Sequence, residues 1–437
     1  MAFIDNLIQL SQTPADRLPV SALQKARLSL LDWMVCGIAG KDEPVAEKMR
    51  DFARNEAGNE VASIFGGGMA PARMAALANG TISHALDFDD THFRHVGHLS
   101  VGIFPAAFVV AEEVDASVRT MVKAFLIGAE AAIRVGIALG VGHYNRGFHQ
   151  TATAGAFGAT IAAGRLYELN GDELRHALGL CATRASGLRS QFGTMGKPYN
   201  AGIAASNGVE CAQLAALGIT STHDGLEAHQ GFLTTHADEI FVNEAWIPSP
   251  QEAFLFDENK YKLHACCHGI HAMIETLRAK RQKLGGLNEI EKITLYTNPR
   301  WLNVCDKKAP RNGLEVKFSY AWLAGMTLRG DKTGDNRAYT DTLAEDAELS
   351  AFAEKVEVLG DPGVTDLQAR VEIALSDGQT INARYDLDAP QSNVFLKDRL
   401  TVKAVSTIGE KGKLIFDQFE RLDIVSVREL AALIRSD

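Results

Sequence analysis

Between residues 103 and 217 the chain passes through segment after segment dense in alanine and glycine, and nowhere in that span do apolar and polar residues alternate as a strand requires. Residues 129–132, 152–163 and 201–216 are the densest. Helices with so little side chain can bring their backbones close together. Pro105, Gly142, Gly147, Gly164, Gly171 and Gly218 punctuate the run. This feature commits the first 255 residues or so to an all-helical arrangement, because no sheet can be drawn from it.

The rest of the chain is organised around that body. Leu28, Leu30, Leu31, Met34, Val35 and Ile38 recur near helical spacing before Gly40, and Pro71 opens a helix leading to His84 and Asp87. After Pro248 and Pro250 the character changes. Residues 293–298 alternate with period two, residues 355–359 form a second strand candidate, and residues 370–375 and 380–387 flank an Asp377-Gly378 turn as a hairpin. Helices are expected over residues 267–284 and 316–328, and again in the last forty residues or so. The expected fold class is mainly α: a large all-helical domain (residues 1–258 with 396–437) and a smaller α+β lid domain (residues 259–395). At 437 residues, two domains are also the default by size.

Composition excludes several functions. A net charge of -10 argues against a broad nucleic-acid footprint. The six cysteines lack a framework of spacings, which suits a reduced, cytoplasmic protein. Neither a signal peptide nor a membrane segment is expected, since the most apolar region, residues 121–142, is broken by Lys123, Glu130 and Arg134.

Four polar clusters carry candidate chemistry. The first holds His84, Asp87, Asp89, Asp90, Thr91, His92, His95 and His98 between apolar flanks. Any one of these residues reads as a helix cap or a surface group, but the cluster together reads as proton chemistry or a metal site. The second, Tyr144-Asn145-Arg146-Gly147-Phe148-His149-Gln150-Thr151, places His149 at the start of an uncharged helix. Taken alone, a cap explains it equally well. The third, from Gln191 to Asn200, combines Gly193, Gly196 and Lys197 without the spacing of a phosphate-binding loop. The fourth is Lys260-Tyr261-Lys262-Leu263-His264-Ala265-Cys266-Cys267-His268-Gly269-Ile270-His271, whose histidines would share one helical face. Zinc is its rival reading, disfavoured by adjacent cysteines and Gly269. Imidazole, lysine and carboxylate together suit removal of a proton beside a carboxylate.

These residues resemble the MmgE/PrpD family. The segment His84-Ala85-Leu86-Asp87-Phe88-Asp89-Asp90-Thr91, preceded by Ala78-Asn79-Gly80, is similar to its hallmark. Leu31-Asp32, Phe148-His149-Gln150-Thr151, the loop and helix from Gly193 to Gly208, and Lys317-Phe318-Ser319 extend the likeness over essentially the whole chain. The resemblance implies a homodimer without a bound cofactor or metal that acts on a small di- or tricarboxylate. Members include 2-methylcitrate dehydratase, cis-aconitate decarboxylase and iminodisuccinate epimerase. By resemblance, Asp87, Thr91, His98, His149, Lys197 and Lys262 match active-site positions. Taken with the clusters above, His98, His149, Lys197, Lys262, His264 and His268 are the catalytic candidates, and Asp87, Thr91, Tyr144, Arg146 and Tyr320 the expected substrate contacts. His98-Leu99 stands where the family commonly has His-Pro, and Ser100-Val101 departs from the dehydratase pattern. Cys267 stands where the decarboxylase has a histidine, and the decarboxylase's lid tyrosine would align near Trp322. The run from Lys262 to Gly269 looks most like the epimerase branch. Epimerisation is therefore the expected reaction, with loss of water or of CO2 as alternatives and a metal-dependent hydrolase more remote.

Overall fold

The computed structural model describes residues 2–284 and 286–436. The chain forms two compact units. The first holds the chain up to Tyr261 and again from Ile408, and the second holds Lys262–Thr407.

The first unit is built from helices α1 (Phe3–Ser11), α2 (Val20–Gly40), α3 (Pro44–Glu56), α4 (Ala72–Ser83), α5 (Ser100–Glu113), α6 (Val118–Arg146), α7 (Gln150–Leu166), α8 (Gly171–Ala182) and α9 (Gly196–Ala216). Two later helices, Glu410–Asp417 and Val427–Arg435, return to it. Arg27 of α2 pairs with Asp423 at 3.3 Å, and the Gly66 amide donates to the Ile434 carbonyl at 3.0 Å. One departure from an all-helical body is a hairpin of two-residue strands, β1 (Ala62–Ser63) against β2 (Met69–Ala70), turning through Gly66, Gly67 and Gly68. Strands that short leave no alternation to read in the sequence.

The small-residue helices do approach closely. A Cβ added to Gly128 of α6 would lie 2.4 Å from the Gly158 carbonyl oxygen of α7, and one added to Gly158 would lie 2.5 Å from that of Gly128. Glycine is needed on both sides of that crossing. The charges within α6 are also explained. Arg134 and Glu130 are fully buried and paired at 2.6 Å. Arg134 donates onward to the carbonyls of Ala245 and Pro248, and Glu130 accepts from the amides of Leu255 and Phe256. A buried pair is tolerated when its remaining hydrogen-bonding groups are satisfied, and here it anchors the connector that ends at Asn259. By length and composition α6 is apolar enough to cross a membrane, yet 83% of its most apolar window is buried within the protein.

The second unit carries a four-stranded sheet ordered β4-β3-β5-β6, from β3 (Ile290–Thr297), β4 (Val356–Gly360), β5 (Gln368–Leu375) and β6 (Thr380–Asp386). β3 and β4 are parallel, and the other pairs are antiparallel. The β5–β6 hairpin turns at Gly378, as the Asp-Gly signal predicted. Helices His268–Lys280 and Tyr320–Arg329 lie among these strands. The helix expected from residue 316 is two pieces, Gly313–Val316 and Tyr320–Arg329, because the Ser319 hydroxyl caps the second on the Trp322 amide. Helix Asn393–Ile408, expected to belong with the helical body, falls within this unit up to Thr407, where Arg399 grips Glu275 at 2.6 Å. The fold is mainly α with a small mixed sheet.

Candidate active site

The end of α4, the strained segment after it, and the starts of α7 and α9 bring four sequence-predicted residues together. α4 stops at Ser83 with His84 as its cap, and the chain then enters a left-handed residue at Asp87 (φ 51°). Aspartate tolerates that region better than most residues, and such conformations gather at functional sites. Val96, a β-branched residue, is also left-handed (φ 57°). It lies in a tight loop closed by mutual amide–carbonyl bonds between His92 and Gly97. At Gly97 an added Cβ would meet the Thr151 amide at 2.8 Å. That close approach lets the His98 amide donate to the Thr151 hydroxyl at 2.9 Å, fixing the loop on α7.

Asp89 lies at the centre, fully buried. Its Oδ1 accepts from His84 Nδ1 and its Oδ2 from His98 Nδ1, both at 2.8 Å. Burial acts to raise the Asp89 carboxyl, but the charges and hydrogen bonds of His98 and His84 overcome it and hold the group well below the usual range. His84 is pushed down to about 4, chiefly by burial. The His98 ring turns its Nε2 toward Asp87 Oδ1 at 3.4 Å, and Lys197 Nζ stands 2.7 Å from Asp87 Oδ2. Asp87 is half-exposed, so the cluster opens toward solvent there.

His149 caps α7 through its backbone position only, leaving its side chain available. Its Nδ1 lies 3.1 Å from the Asn200 amide nitrogen, which also donates to the Leu188 carbonyl at 3.1 Å. The second bond fixes the amide orientation, so His149 Nδ1 is an acceptor and the neutral ring carries its proton on Nε2. Burial, then Lys197 and the other imidazoles, keep His149 well below its ordinary pKa. The rings of His84 and His149 lie 6.3 Å apart and nearly parallel, and the Phe192 edge closes on His149 at 5.0 Å. Lys197 also lies 5.6 Å from the Phe192 ring centre.

Other expected residues fall elsewhere. Asp90 serves the scaffold: it accepts from the Ser100 amide and hydroxyl and from Asn259. Thr91 is half-buried and bonded through its backbone to Lys260 in both directions. His92 and His95 are buried and bonded to the carbonyls of Leu255 and Ala132. Tyr144 and Arg146 lie in the last turn of α6. Tyr144 lies under the Arg189 guanidinium at 3.8 Å, and exposed Arg146 pairs with Asp238. Neither pairing holds Tyr144 or Arg146 on the imidazole cluster.

In the second unit Lys262, His264 and His268 are all buried. The expected shared helical face does not form, because the helix begins only at His268. The preceding residues are held by bonds from the Ala265 amide to the Thr333 carbonyl and from the Cys267 amide to the Lys317 carbonyl. His264 Nε2 meets Glu275 Oε1 at 2.7 Å and its Nδ1 meets the Thr333 hydroxyl at 2.8 Å. No ring nitrogen is left for the proton transfer expected of it. The His268 ring lies 4.5 Å from that of His271, tilted by 42°. Tyr320 is likewise structural: its hydroxyl donates to the Gly269 carbonyl and bonds the Thr297 hydroxyl.

His84, Asp89, Asn200 and Phe192 were not assigned roles from the sequence. The signal for Asn200 was its spacing, three residues after Lys197 on the same face of α9. His84, Asp87, Asp89 and His98 each place one ligand-type atom within 4.8 Å of the others, close enough to surround a cation. However, both Nδ1 atoms are spent on Asp89, and the Lys197 ammonium already lies beside Asp87. A second cation would meet that charge.

A buried set of imidazoles, one lysine and one reachable carboxylate has the groups that acid–base chemistry uses. The profile of the MmgE/PrpD N-terminal domain matches residues 9–241 and that of the C-terminal domain residues 264–403, so the chain belongs to the MmgE/PrpD family. It is similar to the cis-aconitate decarboxylase-like protein oryM of Aspergillus oryzae, 30% identical over 282 residues. That match covers 60% of this chain and 58% of the relative, under two thirds of the relative's length. Cis-aconitate decarboxylase of Aspergillus terreus is 26% identical over 397 residues, covering 84% of this chain and 77% of that protein. The Homo sapiens cis-aconitate decarboxylase is 23% identical over 389 residues, covering 83% and 78%.

Proposed function

We propose that the protein is a lyase acting on a small di- or tricarboxylate, with loss of CO2 from a cis-aconitate-like substrate as the first candidate reaction. The observation that carries this reading is the arrangement at Asp87: Lys197 Nζ at 2.7 Å and His98 Nε2 at 3.4 Å on its two oxygens, beside buried His149. Allylic decarboxylation breaks one C–CO2 bond, whose electron pair forms a new double bond, while the pair of the old double bond takes up one proton at the far carbon. Lys197 supplies a charge for a retained carboxylate. His149, with its proton on Nε2, suits the donor, and His98, whose Nε2 faces the open side of the cluster at Asp87, suits the group that restores it.

Loss of water and epimerisation need the same proton transfer beside a carboxylate, so the geometry alone serves all three. The relatives' names favour the lyase, and epimerisation, the reaction expected from the sequence, finds no support among them. The test is a panel of polycarboxylates in D2O followed by proton NMR. The reading expects CO2 release with one deuteron placed on carbon of the product. Deuterium incorporation or inversion without loss of CO2 or water would restore the epimerase, and no change in any compound would overturn the enzyme reading.

A further inference from the structure

One carboxylate holds two imidazoles. Asp89 is ionised and fully buried, so both of its oxygens can only accept, and each lies 2.8 Å from an Nδ1. Both rings must therefore carry a proton on Nδ1. For His98 that leaves Nε2 facing Asp87 Oδ1 at 3.4 Å. For His84, only 1% exposed, it leaves a buried Nε2 with no hydrogen-bond partner among the described residues. An unpaired buried acceptor costs about 1–3 kcal/mol. The His84 ring lies 4.5 Å from that of His98 and 6.3 Å from that of His149, so this acceptor sits inside the imidazole cluster.

We propose that Asp89 is a positioning residue for both rings, and that His84 Nε2 is a further substrate contact, accepting a hydrogen bond from an O–H group of the polycarboxylate. The second half rests on the polycarboxylate reading above and deepens it; the first half does not depend on it. The burial that keeps His84 neutral leaves its lone pair free for that bond.

The tautomers are read directly from imidazole 15N chemical shifts of the intact protein at pH 8. His84 and His98 are expected as Nδ1–H and His149 as Nε2–H. Finding either of the first two without a proton on Nδ1 overturns the positioning role without any variant. Asp89→Asn offers one acceptor and one donor, so one of the two rings must change tautomer, and kcat should fall on the order of 10²-fold or more with KM within a few-fold. Unchanged kcat overturns the positioning role. His84→Asn keeps an N–H near the Nδ1 position for Asp89 but lacks Nε2; kcat/KM should fall at least about tenfold, the value of one lost hydrogen bond to a neutral acceptor. Full kcat/KM in this variant overturns the contact. If the unaltered protein turns over no polycarboxylate, the polycarboxylate reading and the His84 contact fall together, while the spectra alone still decide the part played by Asp89.

Discussion

The two histidine clusters look alike in sequence and differ in what surrounds them. In the second unit Glu275 is gripped by Arg399 and binds His264, whose other nitrogen is held by Thr333; every polar group of that ring is spent on the fold. In the first unit the central carboxylate takes one nitrogen from each of two rings and leaves the other nitrogen of each uncommitted to the fold. An acid–base site requires that second arrangement, in which structure fixes the proton on one side and leaves the other side for substrate. Histidine density alone did not separate them.

Acid should break the contrast most strongly. His84 and His95 are held near 4 and His92 near 3 by burial, whereas the unfolded chain protonates histidine near 6.5. Between those values the unfolded state binds more protons, so stability must fall as pH drops from about 6.5 toward 4. By pH 5 each such ring costs roughly 2 kcal/mol. Buried neutral histidines are more numerous in the first unit, where His143 and His149 are also depressed, than in the second, with His264 and His271. Hydrogen exchange at pH 5 should therefore loosen α4–α7 before the sheet; the reverse order would count against this distribution.

Next in size, His149→Gln should lower turnover on the order of 10²–10⁴-fold while urea unfolding stays near that of the unaltered protein. Equal losses in kcat and in substrate affinity would make His149 a binding residue. The counterpart in the other cluster is Glu275→Gln. It should cost about 3 kcal/mol in unfolding free energy, because Arg399 and His264 lose a buried partner. A variant of full stability would show that the second cluster is not held as described.

Two smaller effects test Asp87. Lys197→Ala should weaken polycarboxylate binding about tenfold by calorimetry, the value of a charged hydrogen bond. Asp87→Asn should act in the opposite direction and tighten binding several-fold while lowering kcat, because it frees the Lys197 ammonium from its internal counter-ion. Weaker binding in Asp87→Asn would place the carboxylate itself on the substrate.

Much of this was legible in the chain. The small-residue run fixed close helical packing, period two and Asp377-Gly378 fixed the hairpin, and the family motif named Asp87, His98, His149 and Lys197. The first two rest on local periodicity and turn chemistry, which the sequence carries directly; the four site residues rest on the family resemblance. The tertiary structure alone decided which histidines are free. His84 and His98 share a proton acceptor, and His264 is locked, because of contacts between residues 5, 9 and 11 positions apart in irregular or helix-end segments. Neither helical nor strand spacing predicts such contacts. Placing Asn200 beside His149, 51 residues away, likewise needed α7 and α9 to meet in space.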